Sequence, residues 1–145
     1  MELQGKGFFT WRIPNCEHGD PKRIADLAAE ANLTHMLLKV ADGTGADNGT
    51  WGDPKEYITP VITQLRSRGI KVYGWHYLYG DEPNAESAIA IKRIRQFNLD
   101  GYVLDIEAEY QKTAKKAAAE RFMGQIRAAY PALMIALSSY RFPSL

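Results

Sequence analysis

The chain has 145 residues, 46% hydrophobic and 24% charged, which is the length and composition of one globular domain with its own core and excludes disorder as the default state. A formal net charge of +1 gives no basic footprint for nucleic acid and no membrane-seeking surface. No apolar run approaches the roughly 18–20 residues of a spanning helix. The single cysteine, Cys16, excludes an internal disulfide, and His18, His35 and His76 show no metal-ligand spacing.

A strand-then-helix rhythm runs along the chain. The N-terminus, Met1 to Lys6, lacks the basic segment and apolar core of a secretory signal, which leaves the compartment open and is equally consistent with cytoplasmic synthesis followed by release on lysis and with an internal enzyme. The first strand is predicted over Gly7-Phe8-Phe9-Thr10-Trp11, followed by a polar loop from Pro14 to Gly19. Asp20-Pro21 supplies an N-cap and a proline at the first helical position. Ile24, Leu27, Ala28 and Ala31 follow at helical spacing, and Asn32 can close that helix. The second strand is His35 to Val40. A glycine- and Asp-rich loop from Ala41 to Gly52 follows, with the composition of a functional loop.

Asp53-Pro54 opens the second helix by the same device, with Ile58, Val61, Ile62 and Leu65 as its buried stripe and Gly69 after its end. Pro60 either kinks this helix or moves its start later. Ile70 to Tyr77 form the third strand. Asn84 can cap a third helix with Ala88, Ile91, Ile94 and Phe97 inward. The fourth strand is Gly101-Tyr102-Val103-Leu104-Asp105-Ile106, running into Glu107-Ala108-Glu109. Thr113 can cap a fourth helix lined by Ala118, Phe122, Ile126 and Ala129, with Lys112, Lys115, Lys116 and Arg121 as a solvated face. Leu133 to Leu137 form a fifth strand, with Ser138, Ser139 and Tyr140 at its carboxyl end.

Five strands alternating with four helices imply parallel strands joined by right-handed crossovers. A flavodoxin-like, doubly wound five-stranded sheet fits the length. A (β/α)₈ barrel needs about 200–250 residues, so the chain would supply its first five strands. In either case ligands bind at the carboxyl ends of the strands. Those ends carry Trp11, Arg12, Lys39, Asp42, Trp75, His76, Tyr77, Tyr79, Asp105, Glu107, Ser138 and Tyr140. Asp105 and Glu107 are two apart on one strand, so both turn to one face roughly 6.5–7 Å apart along the backbone. Two acids at the end of a buried strand need a reason, because an unpartnered charge out of water is expensive.

Acids mixed with aromatic rings suit a sugar: rings stack on its C–H faces, and carboxylates supply acid and charge stabilisation. Phosphate and dinucleotide motifs are absent. Plainer readings stand beside this one. Asp105 and Glu107 could be a structural ion pair with Lys39 or Arg12, the Trp75–Tyr79 rings could be core, and His76 a hydrogen-bonded interior residue. Glu109 is expected to face water.

Three segments resemble one family. Leu37-Leu38-Lys39-Val40-Ala41-Asp42-Gly43-Thr44 is similar to the "IKATEGT" segment of family 25 glycoside hydrolases, the lysozyme-type muramidases. Val72-Tyr73-Gly74-Trp75-His76-Tyr77 resembles their "GAYHF" strand, and Leu104-Asp105-Ile106-Glu107 their "LDIE" strand. The DxE pattern alone is also similar to chitinase-like barrels. The first strand departs from the family's "GIDVS": the nearest acids are Asp42 and Asp47, neither at the matching place.

The resemblance implies a (β/α)₈ TIM-barrel type of fold, with the first five strands present as a single domain over residues 1–145. It implies cleavage of β-1,4 links in peptidoglycan or related N-acetylated glycans, without cofactor or metal. Glu107 would be the general acid and Asp105 the nucleophile or stabiliser. Trp11, Lys39, Asp42, Trp75, His76, Tyr77, Tyr79 and Tyr140 would hold the glycan. A non-catalytic glycan-binding barrel is the alternative. Exposed strand edges imply self-association or a missing C-terminal half.

Overall fold

The computed structural model describes residues 3–47, 56–111 and 113–139. Its elements run β1 (Gly7–Thr10), α1 (Pro21–Glu30), β2 (His35–Asp42), β3 (Gly45–Ala46), α2 (Ile58–Arg66), β4 (Lys71–Tyr77), α3 (Pro83–Phe97), β5 (Gly101–Ile106), α4 (Lys116–Ala129) and β6 (Met134–Ser139). Five strands are parallel and lie in the order β1-β2-β4-β5-β6, while the two-residue β3 folds back antiparallel on β2. Each parallel neighbour is also the next long strand in sequence. That order excludes the doubly wound alternative, in which the first strand would sit inside the sheet.

The (β/α)₈ class is corrected as well. The sheet curls into half a barrel, with four helices on its convex side, and both β1 and β6 are edges. What the described residues build is a small α/β domain with an open, partial barrel.

The local rules explain most boundaries. Asp20 accepts the Arg23 N–H at 2.9 Å as the N-cap of α1, with Pro21 behind it. Asn32 stands at φ 55° beyond the end of that helix. Helix α2 starts at Ile58, so Pro60 falls in its first turn, where its missing N–H is not needed. Asp53 and Pro54 lie outside the described residues. Here Glu56 does the capping, its carboxylate accepting the N–H groups of Ile58 (2.7 Å) and Thr59 (3.0 Å).

Two helix faces differ from expectation. On α3, Ala88 is exposed, and the buried stripe is Glu86, Ser87, Ala90, Arg93, Ile94 and Phe97. On α4, Phe122 and Ile126 are buried and Ala129 is exposed.

Strand alternation divides the sheet's side chains between two layers. Met36, Leu38, Val40, Val72, Tyr102 and Leu104 face the helices and join Ile24, Val61, Leu65, Ile94, Phe97 and Phe122 in the main core. Leu37, Tyr73, Trp75 and Val103 face the concave side and form a second, smaller cluster with Tyr77, Met134 and Ala136. Gly101 is required there: a Cβ would lie 2.5 Å from the Tyr73 ring and 2.6 Å from Met134. One irregularity interrupts the sheet. The β2–β4 register shifts between Lys39 and Ala41, so that Lys39 pairs with Trp75 and Asp42 with Tyr77. This bulge at Val40 adds a residue to β2 and turns Asp42 to the same concave face as Lys39, which strict alternation forbids at that spacing.

Candidate functional site

The carboxyl ends of the strands bring most of the expected residues together on the concave side. Lys39 is only 5% exposed and needs partners, because an ammonium out of water is costly. Its Nζ lies 2.6 Å from Asp42 Oδ2 and 3.1 Å from Asp47 Oδ2. Two indole faces flank it, Trp75 at 5.1 Å and Trp11 at 5.6 Å from the ring centroids. Trp11 is 59% exposed yet has a second cation over its ring, the Arg12 guanidinium 4.8 Å from the centroid. Trp75 is anchored from below, its indole N–H donating to the Thr10 carbonyl at 3.1 Å. The ion pairs of Lys39 thus run to Asp42 and Asp47 and not to the Asp105/Glu107 pair.

Asp105 stands beside Tyr77 in the β4–β5 register and beside Ser138 in β5–β6. Burial pushes its carboxyl above the ordinary carboxylate range, and the charge of Glu107 pushes the same way. A hydrogen bond from Ser138 and the more distant charge of Lys39 pull it partly back. Glu107 lies just past the end of β5 and is half-buried. The family resemblance gives the proton-donor role to Glu107; in the folded chain burial raises the Asp105 carboxyl.

Glu109 is not left in solvent as expected. Its carboxylate accepts the Tyr77 hydroxyl at 3.0 Å, and burial with these two glutamates drives the Tyr77 hydroxyl upward. Tyr79 packs its ring 5.1 Å from that of Tyr77 and donates its hydroxyl to Asp42 Oδ1 at 3.0 Å.

His76 is elsewhere. It faces the helices, fully buried, with its ring edge-on to Tyr102 and Phe122. The Gly43 carbonyl, 2.7 Å from Nε2, can only accept, so Nε2 carries the proton and Nδ1 accepts the Tyr102 hydroxyl at 3.1 Å. Burial lowers its pKa to about 4. It ties the turn after β2 to the core and does not reach the concave face. Tyr140 lies outside the described residues.

An apolar hollow of about 290 Å³ also lies on the helix side, between α4 and the strands β5 and β6, lined by Leu104, Ile106, Phe122, Met123, Ile135 and Leu137. It does not touch the carboxylates. Among the described residues, no group of three or more His, Cys, Asp or Glu is placed to hold a metal, and no helix is long and apolar enough to cross a membrane.

Two residues that position the site were not singled out from sequence. Glu86 and Arg93 sit on the buried face of α3, where the search for apolar periodicity passes over charged residues. The arrangement defines a class: a partial α/β barrel with carboxylates and aromatic rings at the mouth of its concave face. Comparison with protein-family models, curated proteins and solved structures gives no match.

Proposed function

We propose that this concave face cleaves β-1,4 glycosidic bonds in peptidoglycan or a related N-acetylated glycan, as the likeness to family 25 glycoside hydrolases implies. The observation that supports this most is the carboxyl of Asp105, raised by burial and by Glu107 at the mouth of the sheet. A pair of acids that holds one proton between them has what glycosidic cleavage needs. Of the pair, Glu107 gives the proton to the leaving oxygen as the C1–O bond breaks, which leaves Asp105 as the carboxylate facing C1. Asp105, ionised, stabilises the positive charge at C1, either directly or by orienting the N-acetyl oxygen that attacks it. Water then releases the sugar, with Glu107 taking back the proton. Trp11 and Tyr79 offer exposed ring faces for the sugars, Trp75 backs Lys39 beneath them, and Tyr77 is fixed by Glu109 beside the scissile position.

Turnover of chitooligosaccharide or peptidoglycan fragments tests the reading. Glu107→Gln should lower kcat by about 10²–10⁴-fold, the usual worth of a general acid, with binding retained. Asp105→Asn should cost a similar factor and remove the acidic limb of the pH profile, since Asp105 is the group that must be ionised while Glu107 holds the proton. Wild-type protein that binds these glycans through Trp11 but never cleaves them, with Glu107→Gln indifferent, makes the face a binding module and overturns the enzyme. Association of the chain through its open β1 and β6 edges belongs to the same proposal.

A further inference from the structure

Helix α3 buries two charged side chains two turns apart, and each reaches a loop that carries the site. Glu86, 1% exposed, accepts the N–H groups of Tyr79 at 2.9 Å and Gly80 at 3.1 Å, fixing the segment after β4. Arg93, 8% exposed, reaches toward β2. Its Nε donates to the Val40 carbonyl at 2.9 Å, one Nη donates to the Asp47 carbonyl at 3.2 Å, and the other to Gln96 Oε1 at 2.9 Å. The guanidinium packs 4.5 Å from the Phe97 ring centroid.

The Val40 carbonyl is the significant partner. Val40 is the extra residue of the bulge, and a bulge breaks the ladder and leaves its extra residue without a strand partner. Here the Val40 carbonyl takes Arg93 Nε and also the Asp47 N–H at 3.1 Å. One buried side chain therefore grips both the bulge and the end of the β2–β3 hairpin. A buried guanidinium is retained only where its several donors find acceptors, and removing it leaves those acceptors short in a dry interior.

We propose that Arg93 is a positioning residue: by holding the carbonyls of Val40 and Asp47 it keeps β2 in the bulged register that turns Lys39, Asp42 and Asp47 together onto the concave face. Without the bulge, Ala41 would follow Lys39 on that face and Asp42 would turn toward the helices. The Lys39 ammonium would lose its closest carboxylate, and Tyr79 its Asp42 acceptor. Arg93 touches no reacting group; it acts through the strand. The inference rests on the concave face being the site and deepens that reading.

The test is the Asp105 carboxyl followed by NMR titration in wild type, Arg93→Met and Arg93→Lys, with thermal unfolding run alongside. Lys39 holds the Asp105 midpoint down. Arg93→Met, which fills the volume but donates nothing, frees the Lys39 charge from Asp42 and should therefore lower that midpoint and speed hydrogen exchange at the Asp47 amide. Arg93→Lys keeps one donor and should fall between. A folded Arg93→Met protein whose Asp105 titrates as in wild type overturns the proposal. Should Arg93→Met fail to fold, Arg93→Lys carries the same titration, and an unchanged midpoint together with unchanged Asp47 exchange has the same force. The titration needs no glycan, so a wild type without turnover would sink the glycosidase reading and leave this one standing.

Discussion

His76 illustrates how a single residue type divides between chemistry and scaffolding according to the face it occupies. Its neighbours in β4, Trp75 and Tyr77, point into the concave side, so alternation sends His76 to the helices. There both ring nitrogens are engaged, and burial keeps the ring neutral down to a pKa of about 4. The unfolded chain protonates the same residue near 6.5. Between those values the unfolded state binds the extra proton, so stability is lost as the pH falls from about 6.5 to 4, on the order of 3 kcal/mol in full. His35, also lowered by burial, works in the same direction, whereas the raised Asp105 works in the opposite one. Urea unfolding of wild type and His76→Gln at a series of pH values checks this. The variant should be less stable near neutrality and decline less steeply toward pH 4; equal slopes would remove His76 as the cause.

Secondary-structure elements show which features could be read in advance. Asp20-Pro21 announces α1 because a cap is a local arrangement, complete within four residues. Asp20→Ala should cost about 1 kcal/mol in urea unfolding, while Asp20→Asn, which keeps an acceptor for the Arg23 N–H, should cost far less. Helix α3 was legible as a helix with Ile94 and Phe97 inward, but Ala88 was misplaced and the charged members of its inward face were missed. Its inward stripe contains Glu86 and Arg93, whose burial makes sense only once the Tyr79–Gly80 backbone and the β2 bulge are in place. The bulge itself leaves no mark in the composition of Leu38-Lys39-Val40-Ala41. It became visible through pairing with β4, a contact more than 30 residues away. For the same reason Lys39 was expected at the site while its actual partners, Asp42 and Asp47, were not paired with it in advance.

At the scale of the whole molecule, the strand-helix alternation foretold parallel strands, because each β-α unit is decided locally. Closure is not decided locally, and the expected first five strands of a (β/α)₈ barrel gave way to a curled sheet, not clearly of that class, whose β1 and β6 have no outer neighbour among the described residues. An edge strand offers a row of unpaired backbone groups to any chain that can add to it. The side chains at these edges add to that exposure. Phe8 on β1 is 51% exposed, and Leu137 on β6 is 61% exposed beside the apolar hollow under α4. Sedimentation velocity should therefore show the chain associating as its concentration rises. A charge on the edge opposes both apolar contact and strand addition, so Leu137→Lys should shift the population toward monomer without loss of helical circular dichroism. If wild type stays monomeric throughout, the edges are protected within the monomer. If it associates and Leu137→Lys associates equally, the contact runs through β1 or the concave face, and Phe8→Lys separates those two.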